Sequence, residues 1–288
     1  MKSKIHFYIG KGGVGKSTIS SLYSVYLSDN HKVNLASLDS AHNLSDIFNI
    51  SFSDRPKDIS SNLKVTEVNI ENKIKEYLGE IENDLAISNT NLAAFNLLDE
   101  LNIIKQSPGL EEYGLLKSFS DIIENHAEAD HLIFDMPPTA LSMKFFSLPS
   151  RSLLWIEKLI DLRNRIKEKK EIVSTIKIGK SEIEQDKILK KLLELKKQFQ
   201  TFNNLLKSEK VEINLVVNQD SLSINEGRKI INELEIIGFN VDKIILNKFD
   251  ETQQKVSAFE IFDQVKIPIS KEKLIGYENL KTFAISIF

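Results

Sequence analysis

Short apolar runs alternate with helical periodicity along most of the chain. Ile5, Phe7 and Ile9 form the kind of run that a buried parallel strand shows. After a glycine-rich break, Ile19, Leu22, Tyr23, Tyr26 and Leu27 recur at three- and four-residue spacing, as on the core face of a helix. Val33–Leu38 reads as the next strand. Further strands are expected at Leu63–Val68, at His131–Phe134 ending in Asp135, and at Ile213–Val217, Val241–Leu246 and Val265–Ile267. Helices are expected near 70–85, 91–105 and 110–125, and one fits between each later pair of strands. Strand–helix–strand order implies right-handed crossovers. The fold class is α/β: a doubly wound, mostly parallel sheet with functional loops at the carboxyl ends of its strands.

The pattern is interrupted at 150–210, a helix-rich insertion between two strands. Residues 1–288 read as one domain with 150–210 as its helical insertion subdomain. Within it, Ile188, Leu192, Leu195, Phe199, Phe202 and Leu206 repeat at 4-3-4-3-4 spacing, among Lys190, Lys191, Lys196 and Lys197. Such a seam either packs on its own domain or offers a face to a partner or client. A second helix near 152–166 carries Trp155. It is expected in the core, and an exposed Trp there would point to a binding surface instead.

Composition narrows the chemistry. The 288 residues include no cysteine, which removes disulfides, thiolate zinc sites, iron–sulfur clusters, cysteine nucleophiles and thiol-based arsenite sites together. With 38 basic and 41 acidic residues the net charge is −3, so no nucleic-acid partner is expected. No apolar run reaches the roughly 18–20 residues that span a bilayer, and a cytoplasmic chain is expected.

Gly10-Lys11-Gly12-Gly13-Val14-Gly15-Lys16-Ser17 satisfies G-x-x-x-x-G-K-[ST] between a strand and a helix. The glycines let backbone amides approach phosphate oxygens, and the helix starting near Lys16 aims its free N–H groups at the same anion. Lys16 would neutralise the β- and γ-phosphates, Ser17 would hold Mg²⁺, and Thr18 is placed for another phosphate oxygen. This is a nucleoside-triphosphate site. Lys11 makes it the deviant form of the loop, in which a second lysine typically reaches the nucleotide of a dimer partner.

Asp39-Ser40-Ala41-His42-Asn43-Leu44-Ser45-Asp46-Ile47-Phe48 resembles the switch I segment D-P-A-H-x-L-S-D-x-F of the arsenical pump ATPases and the tail-anchored-protein targeting ATPases. Phe134-Asp135-Met136-Pro137-Pro138-Thr139 is similar to their switch II segment F-D-T-A-P-T. From Asp220 through a helix with Glu226 and Arg228 to Asn247 the family order continues, and Pro268 and Gly276 match its P-x₇-G spacing. The resemblance implies an ATP-hydrolysing, Mg²⁺-dependent homodimer that closes around ATP and returns to ADP, with no zinc. By the same resemblance Asp39 would orient the attacking water, with Lys11 and Lys16 as the catalytic cations. Asp135 would stand behind Mg²⁺, through water. Asn247 would recognise adenine, with Pro268 and Ile269 packed on the base, and Asp220 would lie near the sugar. His42 matches the switch I histidine as a positioning residue.

The departures matter. Ser40 stands where the family has proline, and Ala140-Leu141-Ser142 where G-H-T often follows switch II. The zinc clasp and the metalloid-binding cysteines of family members are missing. Three roles remain open: release and capture of a hydrophobic membrane-protein client, the ATPase subunit of an anion or metalloid transport system, or a spatial organiser of the partitioning or septum-placing kind. The tail Leu280–Phe288 would make a poor membrane anchor for the last.

Overall fold

The computed structural model describes residues 2–41, 43–88, 109–176, 186–252 and 257–288. The helix expected near 91–105, and His42, lie outside them. Eight strands form one sheet in the order β3-β4-β2-β5-β1-β6-β7-β8. They are β1 (Lys4–Ile9), β2 (Val33–Ser37), β3 (Lys57–Asp58), β4 (Leu63–Glu67), β5 (His131–Asp135), β6 (Val211–Asn218), β7 (Lys243–Phe249) and β8 (Asp263–Pro268). All pairings are parallel except β3 with β4, a two-residue edge that the apolar pattern does not announce. The helices are α1 (Lys16–Leu27), α2 (Asn43–Phe48), α3 (Ile70–Ser88), α4 (Leu110–Asn125), α5 (Thr139–Ile176), α6 (Lys187–Leu206), α7 (Ser221–Ile236) and α8 (Tyr277–Ile285).

The central strands are apolar on both faces because both faces are covered. On one, Phe7, Phe119, Phe134 and Phe145 form an aromatic cluster with centroids 5.1–5.8 Å apart. On the other, Leu35, Val65, Ile133 and Val216 pack with Ile19, Leu22 and Val25 of α1 and with Leu280 and Ala284 of α8. The C-terminal helix is thus part of the core, and Phe288 meets the rings of Tyr23 and Tyr26. Helix α1 is rich in serine. Ser20, Ser21 and Ser24 are buried, and each hydroxyl donates to a carbonyl of the preceding turn, which satisfies it without a distant partner.

Two compact units make up the chain: residues through Phe145 together with Glu209–Phe288, and Phe146–Ser208. The first holds the sheet. The second holds α6 and most of α5, whose interior contains Pro149. The helix expected near 152–166 is thus one stretch of a much longer one. Within this unit Lys196 pairs with Glu157 at 2.9 Å and Arg163 with Asp186 at 2.9 Å. Asp186 also caps α6, accepting from the Leu189 amide. Along the α6 seam Phe199 and Leu206 are buried, Leu192, Leu195 and Phe202 half-buried, and Ile188 exposed. Trp155 corrects the expectation of a core residue: it is 71% exposed. Among the described residues no helix is long and apolar enough to cross a membrane.

Candidate functional site

The loop after β1 has little freedom to be anything but glycine-rich. Gly10 has φ +149°, and a Cβ there would stand 2.5 Å from the Val216 carbonyl oxygen of β6. Gly15 has φ +95°, and its Cβ would collide with the Asn247 side chain. Gly13 also has positive φ, while Gly12 meets nothing nearby. Gly15 enters α1 with no side-chain cap, so the first amides of the helix stay free for an anion. Lys16 and Ser17 are buried, Val14 packs into the core, and Lys11 and Thr18 are half-buried. Lys11 makes no ion pair or hydrogen bond among the described residues.

The ends of the neighbouring strands bring polar side chains beside this loop. Register places Tyr8 opposite Asp135, Asp135 opposite Ser37, and Ser37 opposite Glu67, a polar row at the carboxyl edge of an apolar sheet. Asp135 is completely buried. Its Oδ2 accepts from the Ser37 hydroxyl at 3.3 Å, and its Oδ1 has no hydrogen-bond partner among the described residues. Burial pushes its pKa up to about 7. The Ser17 hydroxyl and the Lys16 charge pull the other way, and the Asp39 charge adds to the rise. An orphaned, buried carboxylate oxygen close to a serine hydroxyl fits a hydrated divalent cation. Ser17 and Asp135 would hold Mg²⁺ there, and the ion would supply charge neutralisation on the phosphates.

Asp39 is also buried. Its backbone N–H donates to Ser37 Oγ at 3.3 Å, and its Oδ1 accepts from the Ala41 amide at 3.1 Å, which turns the chain into α2. Sequence reasoning missed what holds that segment. Glu67, buried at the end of β4, accepts from the Ser45 amide at 2.9 Å and from the Ser45 hydroxyl at 2.6 Å. The same hydroxyl accepts from the Phe52 amide at 3.1 Å. The available signal was the charged residue closing an apolar strand.

On the other flank, Asn247 is buried against the loop. Its Nδ2 donates to the Val14 carbonyl at 2.7 Å and its Oδ1 accepts from the Lys248 amide at 2.9 Å. Lys248 takes the left-handed conformation, φ +53°. Asp220 caps α7, accepting from the Ser223 amide at 2.8 Å. Beside it Gln219 exchanges two hydrogen bonds with the Asp250 backbone, at 2.6 and 3.2 Å, tying the loops after β6 and β7 together. Pro268 ends β8, and Ile269 is exposed. The structure therefore brings Lys16, Ser17, Asp39, Asp135 and Asn247 around one loop. Asp220 faces its own helix.

The model of a family described as anion-transporting ATPases matches residues 3–288. A putative arsenical pump-driving ATPase of Aquifex aeolicus is 29% identical over 98% of this chain and 98% of its own length. The ATPase GET3 of Komagataella phaffii is 27% identical over 96% of this chain and 88% of its own. An ATPase ASNA1 homologue of Entamoeba dispar is 31% identical over 84% of this chain and 75% of its own. The chain belongs to the anion-transporting ATPase family and is an ATPase.

Proposed function

We propose that two copies of this chain sandwich ATP and Mg²⁺, and that closure and hydrolysis govern binding and release of a hydrophobic helical segment of a membrane-protein client. The phosphate loop, Gly10 to Ser17 with Thr18, cradles the phosphates, and Lys16 neutralises them. Asp39 accepts a proton from the attacking water as its oxygen bonds to the γ-phosphorus and the bond to the bridging oxygen breaks. Lys11 reaches the partner's nucleotide. Asn247 still has one N–H and one lone pair after its contacts with Val14 and Lys248, enough to read the adenine edge. Pro268 and Ile269 back the base.

The observation that carries the client reading is the surface of α5. Trp155, Leu159, Leu162 and Ile166 lie on one side of the helix and are 71%, 42%, 54% and 38% exposed. A row of large apolar side chains left in water marks a surface that meets something apolar. The test is capture from source-cell extract with Asp39→Asn held in ATP, against Lys16→Ala. Single-span membrane proteins enriched only in the ATP-held sample support the reading, and their absence there contradicts it.

The second reading is the cytoplasmic ATPase subunit of an anion or metalloid transport system, which the relatives' printed names favour. It predicts a multi-span permease in the same capture. Without cysteine, such a subunit would not bind arsenite through thiols.

A further inference from the structure

The exposed row on α5 has a charged companion. Trp155, Leu159, Leu162 and Ile166 follow 4-3-4 spacing, the seam of a heptad repeat. Arg151, Lys158 and Arg165 recur every seven residues, and Lys158 and Arg165 each directly precede a seam residue, so the three form a file along one border of the seam. All three are exposed, and none makes an ion pair among the described residues. Their neighbours differ: Arg163, on the opposite border, is held by Asp186, and Lys196 by Glu157. The charge continues at larger scale. Residues 146–208 carry fifteen Lys and Arg against eight Asp and Glu, a net +7 in a chain whose total is −3.

We infer that the client helix seated on this face carries acidic residues at heptad spacing along the border of its own apolar seam. Positions bordering a two-in-seven seam choose the partner through charge, and a file of unpaired cations selects carboxylates. Two other occupants fit less well. A lipid surface is matched by a broader apolar face, whereas among the described residues α5 exposes two seam positions per heptad and one further large apolar residue, Leu154, beyond the cationic file. A second copy of the same face packed antiparallel would set this file of cations against itself. The inference rests on the reading that the stripe seats a helix, and adds which helix.

Trp155 is the single tryptophan of the chain, so its emission reports the seam directly. The full-length protein would be titrated with three synthetic helical peptides of identical leucine seam, bordered by Glu, Gln or Lys. It would also be titrated with vesicles of equimolar phosphatidylcholine and phosphatidylglycerol. The Glu-bordered peptide should blue-shift Trp155 and bind at least about tenfold more tightly than the Lys-bordered one, with Gln between, and the preference should shrink with salt. Arg151→Glu/Lys158→Glu/Arg165→Glu should reverse the order, and the milder Arg165→Gln should reduce it about threefold; thermal unfolding of both variants checks that they fold. Equal affinity for all three peptides overturns the inference while leaving a helix-binding surface. A Trp155 shift from the vesicles that displaces the Glu-bordered peptide overturns it in favour of a membrane. Failure of every peptide, with ATP or ADP, removes the helix-binding reading as well.

Discussion

The Asn247 side-chain amide donates to the Val14 carbonyl at 2.7 Å across 233 positions of sequence, fastening the end of β7 to the middle of the phosphate loop. The same contact fills the space beside Gly15. A Cβ at Gly15 would both strain a positive φ and run into Asn247. Gly15→Ala should therefore destabilise the protein by about 1–3 kcal/mol and weaken ATP binding. Adding Asn247→Ala removes the obstacle but not the strain, so the double variant should recover part of the stability. Denaturant midpoints of the four proteins form the cycle, and strict additivity would mean that the two residues do not meet.

Lys16 and Asp39 should separate binding from turnover. Lys16→Ala removes the buried cation of the loop and is expected to abolish ATP binding in a titration. Asp39→Asn keeps the shape, so it should bind ATP with near-normal affinity and turn over about 10²–10⁴-fold more slowly.

Lys11 gives a test of the dimer. If it serves the partner's nucleotide, Lys11→Ala and Asp39→Asn each inactivate, but a mixed dimer contains one site with both residues intact. Random mixing of the two inactive proteins should then restore roughly a quarter of wild-type turnover. No recovery on mixing places Lys11 in its own protomer's site.

Glu67 positions the segment that carries Asp39. Glu67→Gln replaces one acceptor of the Ser45 pair by an N–H facing donors, with an expected cost of about 1–3 kcal/mol. Turnover should fall more than ATP affinity does. A loss confined to stability would show that the latch supports the fold without positioning Asp39.

The opposite edge of the sheet sets a pH dependence. His131 Nδ1 lies 2.9 Å from His6 Nε2, and burial, with His6 and His31 beside it, holds His131 down at about 4 against an ordinary 6.5. The unfolded chain therefore takes up this proton first as pH falls. Stability is complete above about 6.5 and declines from there through 4. His131→Gln should flatten urea midpoints across that window. Glu212 acts lower. Burial opposes its charge, but the Lys243 hydrogen bond at 2.9 Å and the attraction of His6 at 3.7 Å prevail and hold it at about 2, so its contribution is lost only as pH drops from 4.5 toward 2.

Much of this molecule was legible in its residues. Six of the longer strands follow apolar runs because they are buried on both faces, the edge strand β8 is legible from Val265 and Ile267 on its one covered face, and the phosphate loop is readable because only glycines tolerate its turns. Polar contacts between distant strands were not legible. Nothing local to Glu67 shows that it faces Ser45, and Gln219 gives no sign of the Asp250 backbone it clasps. Asp220 reads equally as a ligand or as a cap, and geometry shows the cap. Trp155 was misjudged because helical spacing locates an apolar stripe without saying whether anything covers it.

The central claim, that the nucleotide state governs what the α5 stripe binds, is tested most directly by Trp155 emission in Asp39→Asn protein. An apolar helical peptide would be titrated in ATP with Mg²⁺ and again in ADP. At least about tenfold tighter binding in one nucleotide than in the other, lost in Lys16→Ala, is the expected result. The same affinity in both nucleotides would contradict it.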